Sequence, residues 1–377
     1  PIFPRHPSLK PFIEAKLESG RITRKDAQDI SMSIITELDA RGRRLRSEAI
    51  GLPYFFDEET HHLMDVALLQ HYSEPLHESP FGSFLYREFG ISSADSKIIT
   101  WLAAQFTGEE PIEGVVPRRV LSLVPDQSGR IAYQVSDSLL AVVTPDPKAP
   151  LMVKSNGSDG ILFVRDQVDP LNPKELLDAF HHLKKKPLEP WWLRVFEKMD
   201  LSGGEQQRIL ASLLCYISPW LNRWKGTQLP VEILTGEAGS GKSSLYNLRL
   251  NILTGRPFLR NLPTDLRDWH ASVANSGGLH VTDNVQFTNK DLKQKVSDEI
   301  CRLITEPSPR VEMRRLYTTI SQVQVPVHVA FALTSIQQPF YGADLIQRAA
   351  VFELQALSCA HDGDWVEHQL EQFGGRT

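Results

Sequence analysis

The chain has 377 residues, 41% of them hydrophobic and 23% charged, a globular balance that excludes a disordered tract or a peptide-sized scaffold and leaves room for two or three domains. Its 41 Lys and Arg against 46 Asp and Glu give a formal net charge of −5, so no overall basic excess draws it to nucleic acid, and such contact has to be local. No apolar run nears the roughly 20 residues that cross a bilayer, and PIFPRHPSLK at the N-terminus lacks the apolar centre of a signal peptide, so a cytoplasmic chain without membrane contact is expected.

The first residue is Pro1 rather than Met, which leads us to expect a longer intact protein. Residues 1–48 read as a helical basic arm. AQDISMSIITELDARG spaces Ile30, Ile34, Ile35 and Leu38 at helical intervals before Gly42. RGRRLR at 41–46 is the densest basic cluster, with KKK at 184–186 next. Each reads as a solvated face, or at most as a base-independent contact to a phosphate backbone. This N-terminal region is also where a protein partner is expected to dock.

Residues 49–165 read as a mixed α/β and then β-rich domain. LPYFFD suggests a strand and ADSKIITWLAAQF a helix, and EEPIEGVVP breaks the pattern. RRVLSLVP, RIAYQVS, SLLAVVTP, LMVK and GILFVRD are then β-type runs separated by turn residues. Residues 166–228 read as a helical block. From 229 to 377 helices alternate with apolar strands, the pattern of a parallel α/β sheet. His61/His62 and His181/His182 are adjacent pairs without the i,i+4 spacing of a helical metal site, and Trp191/Trp192 read as helix packing. Cys215, Cys301 and Cys359 are far apart and odd in number, so they are expected to be buried apolar residues rather than bridges or zinc ligands.

LSGGEQQR at 201–208 matches the signature stretch of ABC-transporter ATPases. In those proteins the signature follows the phosphate loop; here it precedes it, and no strand ending in a carboxylate follows in the expected place. The stretch reads instead as a helix start, with Ile209, Leu210, Leu213 and Leu214 as an apolar stripe.

VEILTGEAGSGKSSL is the strongest signal. An apolar strand at 231–234 leads into Gly236, Glu237, Ala238, Gly239, Ser240, Gly241, Lys242, Ser243 and Ser244, which match GxxxxGK[ST] in its strand, loop and helix setting. Glycines let backbone N–H groups turn inward onto phosphate oxygens. Lys242 would neutralise the β and γ phosphates of ATP, Ser243 would ligate Mg²⁺, and the following helix would offer its N-terminus.

A P-loop ATPase needs a second strand ending in a carboxylate. SGGLHVTDNVQ supplies one at 279–282, ending at Asp283 as the metal-site acid, followed by Asn284. Asn284 can orient water but cannot take its proton. The strand within VPVHVAFALTSIQQP delivers Thr334 and Ser335 to the same edge. DLIQRAAVFEL places Arg348 after a short helix, where it could reach a neighbouring subunit's nucleotide or make a structural ion pair. PRVEMRRLYT carries Arg310, Arg314 and Arg315 in an expected hairpin, a candidate nucleic-acid loop.

With these pieces in order, residues 50–355 resemble the superfamily 3 helicase-like ATPases of phages and mobile elements, relatives of poxvirus-type primase-helicases within the AAA+ group. YFFDEETHHLMDV, RIAYQVSDSLLAVVTP and GILFVRD carry the resemblance in the N-terminal region. GEAGSGKSSL, SGGLHVTDNV, VSDEICRLITE, RRLYT and DLIQRAAVFEL carry it in the ATPase region. It implies an AAA+ P-loop domain with a parallel sheet behind a mixed α/β and β-rich region. It also implies Walker A at 236–244, Walker B at Asp283 and Asn284, a sensor at Thr334 and an arginine finger at Arg348. By the same resemblance the partners are single-stranded DNA and further copies of the chain in a ring, commonly a hexamer. Thr334 stands where asparagine is common, and Asn284 where many relatives carry a second acid. An ATP-driven translocase or helicase is the first reading; a nucleotide-dependent assembly switch with little turnover, recruiting a replication or defence partner, is the second. A small-molecule kinase would need an acceptor site and an arginine-rich lid, and neither is assignable.

Overall fold

The computed structural model describes residues 9–18, 22–46, 53–66, 79–92, 94–107, 121–123, 130–144, 151–164, 170–185, 229–255, 259–262, 264–274, 276, 278–287, 289–314, 322–327, 329–339 and 342–355. Its contacts divide into two units: Pro1–Arg118 with Asp137–Leu140 and Lys154–Asp166, and Arg119–Ser136 with Ala141–Val153 and Gln167–Thr377. The strand-rich part of residues 49–165 supplies residues to both.

In the first unit, α1 (Leu9–Glu18) and α2 (Arg24–Arg41) lead into β1 (Gly42–Arg46). Thr23 caps α2 by accepting from Asp26 N, while Asp26 accepts from Thr23 N in return, which satisfies two N–H groups that a helix start leaves over. The helical arm expected over 1–48 is corrected here: the helix stops at Arg41, and Gly42–Arg46 is a strand paired antiparallel with β2 (Pro53–Asp57), itself paired with β3 (His62–Asp65). The reason lies on the two faces of that sheet. Phe55 and Met64 enter one core with Ile30, Ile34 and Leu38 of α2, with α3 (Pro80–Phe89) through Phe81 and Phe84, and with α4 (Ser96–Thr107) through Leu102 and Phe106. Leu45, Tyr54, Phe56 and Leu63 enter another with Leu162 and Val164. Alternation along a strand buries both sets, which a continued helix would not.

A four-stranded sheet runs in the order β4 (Leu121–Leu123), β5 (Ile131–Gln134), β6 (Leu139–Val143), β7 (Leu151–Ser155), as the β-type runs lead one to expect. GILFVRD differs: among its described residues Phe163 and Val164 form isolated bridges, that of Val164 with Leu63, and no strand. Buried Asn156 explains this: its side chain accepts from Phe163 N (2.8 Å) and donates to Phe163 O (2.8 Å), so that backbone is satisfied without a neighbouring strand. Of the expected 166–228 block, the described helix is α5 (Pro173–Lys185); the LSGGEQQR stretch, Trp191 and Trp192 lie outside the described residues.

The second unit holds β8 (Val231–Gly236), α6 (Lys242–Thr254), α7 (Leu266–Ala274), β9 (Leu279–Thr282), α8 (Lys290–Thr305), β10 (Arg310–Arg314), β11 (Gln322–Pro326), β12 (Ala330–Thr334), α9 (Ala343–Gln347) and β13 (Ala349–Leu354). A parallel sheet runs β13-β8-β12-β9. Its apolar residues alternate between two cores. Leu234, Ala330, Ala332 and Phe352 meet Leu245 and Tyr246 of α6, whereas Val231, Ile233, Phe331 and Leu333 meet Trp269 of α7, Ile300 of α8 and Leu345 of α9. Helices on both faces account for strands that read as nearly continuous apolar runs. Cys301 is buried as expected. No described helix is long and apolar enough to cross a membrane.

Candidate functional site

The parallel sheet delivers three loops to one edge. β8 is buried along its length and ends at Gly236, whose φ is +143°; a Cβ there would lie 2.1 Å from Leu354 O on β13. Only glycine fits. Gly239 and Gly241 follow with φ of +81° and +85°, and a Cβ on Gly239 would project into open space. The loop thus has positive-φ glycines of the kind with which backbone N–H groups turn towards an anion, directly ahead of α6, whose N-cap is Gly241.

Lys242 is buried. Its ammonium donates to Gly236 O (2.8 Å), Glu237 O (2.7 Å) and Ser240 Oγ (3.1 Å), which occupies all three protons. Burial lowers its pKa, and the charge of Asp283 opposes that. Glu237 and Ala238 are exposed, and Ser244 is half-buried on α6.

Ser243 Oγ donates to Asp283 Oδ1 at 2.8 Å, and the Thr334 hydroxyl donates to the same oxygen. Thr334 Oγ1 in turn accepts from Asn284 N at 2.8 Å. The hydroxyl of Thr334 has one proton and gives it to Asp283. In this arrangement it positions the acid, and it could donate to a phosphate only by releasing it. Asn284 has a left-handed φ of +49° and an exposed side chain whose Oδ1 accepts from Gln286 at 3.4 Å. Asp283 is fixed from the other side by its N–H, which donates to Arg260 O at 2.9 Å.

Lys242, Ser243, Asp283, Asn284 and Thr334 therefore meet at one place. The donor set fits a polyphosphate: an ammonium, a glycine-lined loop ahead of a helix N-terminus, and a hydroxyl and carboxylate close enough to share one cation. Among the described residues no group of three or more His, Cys, Asp or Glu gathers as a self-sufficient metal site. A magnesium ion held by Ser243 and Asp283 would share its remaining positions with phosphate oxygens and water.

Arg348 is elsewhere. It precedes β13, where Ala349 pairs with Val231, whereas the loop leaves β8 opposite Leu354. Six residue steps along β13, about 20 Å, separate it from the loop of its own chain. Its Nη1 donates to Asp344 O at 2.9 Å and pairs with the Asp344 carboxylate. Arg310 is exposed on β10, which forms a two-stranded antiparallel ribbon with β11; Arg314 ends that strand, and Arg315 lies outside the described residues.

Two groups escape sequence reasoning. Glu232, buried in β8, accepts from Arg249 (2.6 and 3.2 Å) and Tyr246 (3.1 Å) of α6 and so ties the strand before the loop to the helix after it. Its one signal is an acid inside an apolar strand. His270, Glu299 and Arg302 form the second group, around the root of the ribbon.

No protein-family model matches the chain, and no curated protein matches its sequence. Among solved structures it is similar to the apo NrS-1 C-terminal region (305–718), at 11% identity and a TM-score of 0.44, over 90% of this chain and 65% of that one. A second, A-form apo structure of that region is similar at 10% identity and a TM-score of 0.42, covering 89% and 64%. JCV helicase bound to a thiazolopyridine-phenoxyphenyl acetamide is similar at 13% identity and a TM-score of 0.29, over 53% of this chain and 62% of that one. The chain thus spans just under two thirds of the length of these two NrS-1 structures.

Proposed function

We propose that the chain is a Mg²⁺-dependent P-loop ATPase that moves single-stranded DNA, working as a ring of identical subunits. The observation that carries the ATPase part is the convergence of Lys242, Ser243, Asp283 and Thr334 at one sheet edge, beside a loop with positive-φ glycines. Lys242 exchanges its loop carbonyls for phosphate oxygens. Ser243 and Asp283 would hold the cation, while Thr334 keeps Asp283 oriented. Magnesium, when bound there, would supply neutralisation of the phosphate charge. Water is oriented beside Asp283, where Asn284 presents an amide.

The position of Arg348 supports the ring. It cannot span the sheet to its own loop, so a role at a nucleotide requires a neighbour's. The ribbon with Arg310 and Arg314 supports contact with a phosphate backbone. A second reading, an assembly switch with slow turnover, is favoured by Asn284, which cannot accept a proton from water as a second carboxylate would.

The test is ATP hydrolysis by wild type and Lys242→Ala with and without single-stranded DNA, with oligomer size followed in the same samples. DNA-stimulated hydrolysis by an oligomer, lost at least about 100-fold in Lys242→Ala, is the expected result. ATP-driven assembly without turnover would replace the motor by the switch. DNA-independent hydrolysis by a stable monomer would remove both.

A further inference from the structure

We infer that His270, Glu299 and Arg302 form a clamp that couples the root of the β10–β11 ribbon to the nucleotide site, an inference that rests on the ATPase reading above. Two-stranded ribbons are marginal alone, so what grips the root decides where the ribbon points. Arg310 pairs with Pro326, which has no N–H to give, and Glu312 with Gln324 two residues on. Carbonyls of alternate residues in a strand point to the same side, and on β10 both of these are held from the helices. Arg302 Nη2 donates to Arg310 O at 2.7 Å, and His270 Nδ1 lies 3.2 Å from Glu312 O.

The two gripping side chains are joined through Glu299. Its Oε1 lies 2.9 Å from His270 Nε2, and its Oε2 accepts from Arg302 Nε at 2.9 Å. Arg302 also donates to Glu306 at 2.7 Å, at the end of α8. Val311, between the two held residues, is fully buried, so the root has an apolar peg flanked by two polar ties.

The other end of the link is the neighbouring residue on α7. Trp269 is buried and stacks on Phe331 of β12 (centroids 5.8 Å apart, planes at 16°) and meets His280 of β9 edge-on at 6.0 Å. Phe331 lies three residues before Thr334, and His280 three before Asp283. Adjacent residues of one helix therefore touch the strands that deliver the Asp283–Thr334 pair and the carbonyl edge of the ribbon. In a close-packed interior with little slack, a displacement of those strands on nucleotide binding has to be passed on or absorbed. The polar ties direct it to the ribbon. His270, Glu299 and Arg302 are positioning residues, since none reaches the phosphate loop through the contacts described.

The test is amide hydrogen exchange of the full chain with and without a magnesium-loaded non-hydrolysable ATP analogue, its affinity measured in parallel by calorimetry. In wild type the analogue should change exchange of 310–314 by about tenfold, a common size for coupling between sites. In the His270→Ala/Arg302→Ala double variant that response should vanish while the analogue still binds, its affinity changed by no more than about tenfold because the coupling is reciprocal. A variant that keeps the wild-type response, or a wild type that binds the analogue without any response in the ribbon, overturns the clamp. If the wild type does not bind the analogue at all, calorimetry exposes the failure of the ATPase reading itself, and the clamp falls with it. Should the double variant lose its cooperative melt, Glu299→Gln carries the same test, because it keeps the side-chain volume and removes the charge that joins the two ties.

Discussion

Two arginine-rich stretches, RGRRLR at 41–46 and PRVEMRR at 309–315, look alike on paper and differ in the contacts of their described residues. In the first, Arg41 makes a two-pronged contact with Asp57 (3.2 and 2.8 Å), reaches Glu88 at 3.1 Å and lies over the Phe84 ring. Arg43 pairs with Glu58 at 2.9 Å, and Arg44 with Asp39 at 2.6 and 2.9 Å. Their charge is spent on the fold. In the second, the guanidinium that does the structural task belongs to Arg302 on the supporting helix, and Arg310 stays exposed. The lesson is that a basic cluster is informative about nucleic acid only once its carboxylate partners are known.

That contrast breaks most readily at Arg41. Asp57 is almost fully buried; burial works to raise its pKa, and the hydrogen bonds and charge of Arg41, with Thr60 and Glu59 N–H, more than offset that and hold it low. Arg41→Ala should cost about 3 kcal/mol in denaturant unfolding, because it strands a buried carboxylate, and should leave single-stranded DNA affinity unchanged.

Acid should separate the two regions next. Burial pushes His280 down to about 3, with Arg260 adding to the effect. A histidine depressed in the fold contributes its full stability above its ordinary value of 6.5 and loses it as pH falls towards 3. The depressed Asp57 loses its contribution only below its ordinary 3.8. Unfolding followed at several pH values should therefore show the α/β unit weakening first, by about 1.4 kcal/mol per pH unit, with His280→Gln flattening that slope.

Arg310→Ala/Arg314→Ala is the complement of Arg41→Ala. It should lower single-stranded DNA affinity about tenfold at low salt and reduce the salt slope by about 0.7 per lost phosphate contact, with the melting temperature unchanged. Arg43→Ala should show least. Its pair with Glu58 is exposed on both sides, so the change in unfolding free energy should stay below about 1 kcal/mol. A larger loss of DNA binding in Arg43→Ala than in the ribbon variant would reverse the assignment of the two stretches.

The strand, glycine turn and helix at 231–254 were legible because GxxxxGK[ST] sets both residue types and spacing, and the nearness of Asp283 to that turn because an apolar strand ends just before it. The parallel sheet was legible from apolar strands alternating with helices. The RGRRLR stretch was misread as helix, since its partners Asp57 and Glu88 lie 16 and 47 residues from Arg41 and only the folded sheet brings them together. GILFVRD reads as a β-type run, yet its described residues form isolated bridges because Asn156, seven residues before Phe163, supplies hydrogen bonds that a neighbouring strand would. The ties through His270, Glu299 and Arg302 bridge elements up to 42 residues apart, and no local pattern announces them. Thr334 was placed correctly at the sheet edge, yet the destination of its proton depends on a carboxylate 51 residues away.

The three hydrogen bonds that hold Lys242 against its own loop have a calorimetric consequence. The loop is already wound around a positive charge, so the nucleotide proposed for this edge would trade one set of oxygen acceptors for another without freezing a floppy segment. Little chain entropy is left to lose. Recognition at this edge should then register chiefly as heat, and its selectivity should rest on whether a ligand's oxygens can match the geometry that Gly236, Glu237 and Ser240 already rehearse.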